Sequence, residues 1–166
     1  MFLFAIVLWI HIFGAIGWLG AAMVFVMIVA PGLAKLTPQS RAEFVLNVVP
    51  KYVRYTLIFA IVTLVFGISS VIVFANGNYS VMSMSTSFGM YISIGALLAL
   101  VAFGLGAGVA IPSANKVVKI TKSMSGNAGP PPPELIAASK KMRLGSALLM
   151  IVLVLVTIFM VAGATL

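Results

Sequence analysis

The chain has 166 residues, 63% of them hydrophobic and 7% charged, and its mean hydropathy is +1.25. An ordinary soluble domain carries about 25% charged residues, so this composition excludes a soluble globular fold and allows one compact domain over 1–166. The net charge is +8, but the ten basic residues flank apolar runs and form no recognisable nucleic-acid module. There is no cysteine, which excludes disulfides, thiolate nucleophiles and Cys-ligated zinc or iron–sulfur centres.

Four apolar runs reach the roughly 20 residues that a bilayer crossing needs. They cover about 2–30, 52–75, 88–111 and 144–166. The expected fold is an all-α bundle of four transmembrane helices. The first run lacks a basic leader and is too long for a signal-peptide core, so it reads as a retained helix ended by Pro31-Gly32. Asn76-Gly77-Asn78 ends the second run and Pro112 the third.

His11 is the only histidine. It lies inside the first run, roughly 13–15 Å along the helix at 1.5 Å per residue. Ionisable groups at that depth are costly and suggest function. His11, Ala15, Trp18, Ala22, Phe25 and Val29 step by four and three and share one helix face. Gly14 and Gly17 beside it admit a second helix or a flat ligand. Three readings stay open for His11: a neutral imidazole hydrogen-bonded across the bundle, an axial ligand to haem b, or a copper ligand. A proton or quinol role is a fourth. With one histidine, a bis-His haem within one chain is impossible.

The segments 31–51 and 112–143 are expected to be loops. With Arg54 at the mouth of the second helix, they hold every basic residue. The positive-inside rule puts them in the cytoplasm of a plasma-membrane protein and both termini outside. Arg54 and Arg143 read as snorkelling side chains or as a pair gripping an anionic group. Tyr52 and Tyr55 mark the inner interface; Phe2, Phe4 and Tyr79 mark the outer one. In the last loop, Gly126 and Gly129 precede Pro130–Pro133, read as a stiff polyproline spacer. Met82-Ser83-Met84 falls in the outer loop, where two thioethers suit Cu(I), or serve as apolar filler. Gly104 and Gly108 form a Gly-x-x-x-Gly pair that reads as a helix-packing surface.

The halves look related, which makes the fold two hairpins repeated about an axis along the membrane normal. Pro31-x-x-x-Lys35 matches Pro112-x-x-x-Lys116, and Lys51-x-x-Arg54 matches Lys140-x-x-Arg143. Gly14-Ala15 aligns with Gly95-Ala96, so Ile92 occupies the position of His11. The only carboxylates, Glu43 and Glu134, lie outside the apolar runs, which removes carboxylate relays and carboxylate-bridged metal sites. There is no P-loop and no Ser-His-Asp set, so no catalytic residues are legible.

The stretch His11-Ile12-Phe13-Gly14-Ala15-Ile16-Gly17-Trp18-Leu19-Gly20 resembles the first-helix signature of CopD-like copper-resistance membrane proteins and their small four-helix relatives. Val53-Arg54-Tyr55 and Lys140-Lys141-Met142-Arg143 are similar to that family's helix entries. The resemblance implies a four-helix unit with a role in copper uptake or haem-linked redox chemistry, with His11 as the key residue and Trp18 and Gly20 as its companions. Related HemJ-like oxidases also carry a later His and Lys, which this chain lacks. The leading expectation is a protein handling copper or haem near the outer face through His11, with Gly14 and Trp18 beside a cofactor and Met82 and Met84 as further metal ligands. The other is a small accessory subunit of a larger, respiratory membrane complex with no cofactor of its own. Expected partners are the lipid bilayer, other subunits of such a complex or further copies of the chain, and no nucleic acid.

Overall fold

The computed structural model describes residues 2–124 and 130–165, apart from the side chain of Val81. Gly126 and Gly129 lie outside them. Four helices run through these residues: α1 (Phe2–Lys35), α2 (Pro38–Ala75), α3 (Ser87–Ser123) and α4 (Pro133–Thr165). Each is long and apolar enough to cross a bilayer, and the chain is an all-α, multi-pass membrane protein. α1 pairs with α2 and α3 with α4, and the two hairpins pack side by side.

The helices are longer than the apolar runs. At 1.5 Å per residue α2 spans about 57 Å, against roughly 30 Å of hydrocarbon. The expected loops 31–51 and 112–143 are therefore mostly helix. Between α1 and α2 only Leu36 and Thr37 interrupt it. Pro130–Pro132 stay outside helix, and Pro133 opens α4. These extensions form because they bury an apolar stripe. Phe25, Val45, Val49, Ala114, Val117, Ala138 and Met142 make a core of their own at the basic end. Mean polarity hides that stripe, because exposed lysines alternate with it.

Neither Pro31 nor Pro112 ends its helix. A proline inside a helix removes one N–H and crowds the carbonyl four residues back. Here each follows a five-residue π-helical segment, Phe25–Val29 and Gly106–Ala110. In these segments the Ala30 N–H bonds the Phe25 carbonyl and the Ile111 N–H bonds the Gly106 carbonyl, five residues back. Each proline then sits in the first turn of the α-helix that resumes, where its missing N–H is best tolerated. The same spacing separates the two prolines, the two π-segments and the glycines Gly14 and Gly95.

Local chemistry closes the turns. Arg41 donates to the carbonyls of Leu33 at 2.8 Å and of Ala34 and Leu36 at 3.2 Å. These carbonyls lie at the α1 terminus, where the helix runs out of i+4 donors; that of Leu33 also accepts from the Leu36 N–H at 3.3 Å. Thr37 and Thr86 cap the next helices, accepting from the N–H groups of Ser40 and Gly89. Asn76, at φ 45°, ends α2 in the left-handed conformation and Gly77 follows at φ 84°, as the sequence predicts. At that end Phe74 packs against Phe4 and Phe88, with ring centroids 5.4 and 5.3 Å apart. One expectation is corrected here. Gly104 and Gly108 face open space, while Gly106 between them is buried. Among the described residues, the Gly-x-x-x-Gly pair joins no helices.

Candidate functional site

His11 sits on the α1 face that turns toward the bundle. Trp18, Ala22 and Phe25 on that face are buried, and His11, Ala15 and Val29 are half-buried. The imidazole lies against α2, and two residues of α2 shape its seat. Gly67 provides the space: a Cβ there would stand 2.9 Å from both Nδ1 and Cε1 of the ring. Thr63, one turn away, provides the acceptor. His11 Nδ1 lies 2.8 Å from the Thr63 carbonyl oxygen. A carbonyl oxygen only accepts, so Nδ1 carries the proton. In the neutral ring Nε2 is then the lone-pair nitrogen, on the edge of the ring turned away from Gly67.

Thr63 donates its own hydroxyl to the Phe59 carbonyl at 2.7 Å. The main-chain carbonyl of Thr63 is what holds the imidazole. Thr63 and Gly67 are the residues that the sequence alone does not single out. Their trace is weak: two small side chains four apart, on one face of an apolar helix.

The neighbours of His11 pack against the rest of the bundle. A Cβ on Gly14 would meet Thr63 Oγ1 at 2.9 Å. One on Gly17 would run into the Phe59 ring, which packs against Phe13 and Tyr55 at 6.0 and 4.4 Å. The two glycines admit a helix, and their faces are filled by it. Trp18 is 2% exposed and joins Ala22, Ala60, Ala102, Leu149 and Leu153 in the core between the hairpins. It is a packing residue of the bundle centre.

Met82 and Met84 stand on another level. Met82 closes a short 3₁₀ turn, Tyr79–Met82, and packs with Ser83 over Gly89 at the start of α3. That is the level of Phe88 and Phe74, and Phe74 lies two turns beyond Gly67. By helix rise the Met-Ser-Met turn lies about 10 Å along the bundle from the level of Gly67. Met84 is 63% exposed. Among the described residues no group of three or more His, Cys, Asp or Glu gathers. Arg54 and Arg143 are both exposed.

The repeat partner of His11 is informative. Ile92 and Tyr91 on α3 lie over Gly163 of α4, whose Cβ would stand 3.0 Å from Ile92 Cδ1. Both hairpins thus seat one side chain of their first helix in a glycine notch of their second. The hairpins do not superimpose throughout. Gly14 faces Thr63, whereas Gly95 faces Met160, about two turns beyond the residue that the Lys-x-x-Arg match assigns.

Scans against protein-family models, curated proteins and solved structures find no match.

Proposed function

We propose that this chain is a plasma-membrane protein with its basic end in the cytoplasm, which offers His11 Nε2 as one ligand to copper or to a haem iron near the outer face. One observation carries the reading: the hydrogen bond from His11 Nδ1 to the Thr63 carbonyl. Metal-bound histidines characteristically donate their other ring N–H to a carbonyl or carboxylate, which fixes the tautomer and raises the basicity of the ligating nitrogen. The contrast with Ile92 supports it, since an apolar side chain satisfies the same notch in the other hairpin. The remaining ligands come from outside the His11 notch, from a second chain, a partner subunit or a small molecule. Met82 and Met84 supply soft sulfur at the outer rim, as a separate capture point for Cu(I).

A second reading has its own support. The basic-end helices carry a separate core and expose Lys116, Lys119, Lys122, Lys140 and Lys141. A projecting cationic bundle of this kind suits an accessory subunit that docks on acidic surfaces of a larger, respiratory membrane complex.

The purified chain, with metal analysis and visible spectra in oxidised and reduced states, separates the readings. A Soret band lost in His11→Ala supports haem. Copper lost in His11→Ala and diminished in Met82→Ala/Met84→Ala supports copper. Neither cofactor, together with co-purifying large subunits, rejects the ligand role and favours the accessory one.

A further inference from the structure

Where α2, α3 and α4 meet toward the basic end, the packing leaves a small cavity. Its wall includes Tyr52 and Thr56 of α2, Gly106 and Ala110 of the α3 π-segment, and Ser146 of α4. The room for the centre of a water-sized sphere is about 20 Å³. One water needs roughly 10–15 Å³, so the space suits one water.

The wall is polar where it matters. Thr56 is 5% exposed, and its hydroxyl completes no hydrogen bond of good geometry. A threonine in an apolar helix usually donates to the carbonyl one turn back, as Thr63 and Thr157 do here at 2.7 and 3.0 Å. Thr56 departs from that habit. Tyr52, one turn before it, brings its phenol near without completing a bond. Ser146, 3% exposed, lies across the cavity on the other hairpin. A buried hydroxyl left unsatisfied is destabilising, and waters in such places take two to four polar partners.

We propose that one ordered water occupies this cavity, bridges Thr56 Oγ1 to Ser146 Oγ and borrows the Tyr52 phenol as a third partner. The hydrogen bonds from His11 to Thr63 and from Thr157 to Leu153 each stay within one hairpin. The water is a polar tie from the first hairpin to the second, placed where α3 leaves regular α geometry. It is independent of any chemistry at His11.

The sign of a stability change tests it, on the full chain in lipid nanodiscs. With the water present, Thr56→Val strands it and lowers Tm by roughly 2–4 °C, while Thr56→Ser keeps the hydroxyl and most of the stability. Ser146→Ala lowers Tm as well, and the double variant loses less than the two losses added, because both remove one bridge. A Tm that rises in Thr56→Val overturns the proposal, for it marks a dry cavity with a wasted hydroxyl. An unchanged Tm with additive effects overturns it too, for it marks a hydroxyl bonded to its own helix. Should a variant fail to fold, the wild-type density decides: a water within hydrogen-bond distance of both hydroxyls at about 2 Å resolution supports the bridge, and its absence there removes it.

Discussion

The two hairpins solve one packing problem with different side chains. In the first, His11 fills a notch over Gly67; in the second, Ile92 fills a notch over Gly163. Isoleucine needs only space and apolar contact. Histidine in the same seat brings a polar ring into the span, and the Thr63 carbonyl accounts for only one of its two nitrogens. The comparison therefore separates what the notch requires, which is bulk, from what His11 adds, which is a lone-pair nitrogen at fixed orientation.

Exchanging features between the hairpins can break that comparison. The largest effect belongs to Gly67→Val. Its Cβ meets the imidazole at 2.9 Å, and overpacking of this kind costs about 1–3 kcal/mol. Thermal unfolding in detergent should show it, with loss of any metal or haem signal. Gly163→Ala should cost about 1 kcal/mol by the same mechanism. There the nearest atom is the far end of Ile92, which moves more easily than a ring held by a hydrogen bond. An equal or larger loss at Gly163 would mean that the notches are not equivalent.

His11→Ile gives the first hairpin the residue of the second. Its stability should stay within about 1 kcal/mol of wild type, the net worth of one hydrogen bond, while ligand binding disappears. A collapse of folding would assign His11 to structure instead. The smallest change is Thr63→Val, which removes the hydroxyl and leaves the main-chain carbonyl. It should move stability by about 0.6 kcal/mol and leave the spectrum of any bound metal intact. A spectral shift would bring the hydroxyl into the site.

Some of this was legible in the residues. Four long apolar runs mark four helices, Asn76-Gly77 marks the end of the second, and the four-and-three spacing from His11 to Val29 marks the inward face of α1. The seat of His11 was not legible, because pairing of Gly67 with His11 is a contact between helices that no local pattern encodes. The helical extensions were missed for another reason. Pro31, Pro50 and Pro112 each weigh against a continuing helix, yet Pro50 lies within α2 and the other two follow π-segments that absorb the conflict. Gly104 and Gly108 fit a packing motif in sequence, but the π-segment that starts at Gly106 turns Gly106 inward and leaves those two outside. The repeat was legible at the prolines and misleading at Lys-x-x-Arg, where the second hairpin has slid by about two turns.

The π-segments also set rotational phase. Each holds one residue more than a regular α-helical turn, and one residue is worth about 100° around a helix axis. In α3 the buried line runs through Gly95, Ala99 and Ala102, then Gly106 and Ala110, then Ala114, Val117 and Thr121. Were Gly106–Ala110 regular α-helix with the same residues, that line would drift around the axis by most of one residue's turn, about 100°. The extra residue absorbed in the π-segment is what lets the membrane half and the basic half face the same neighbours.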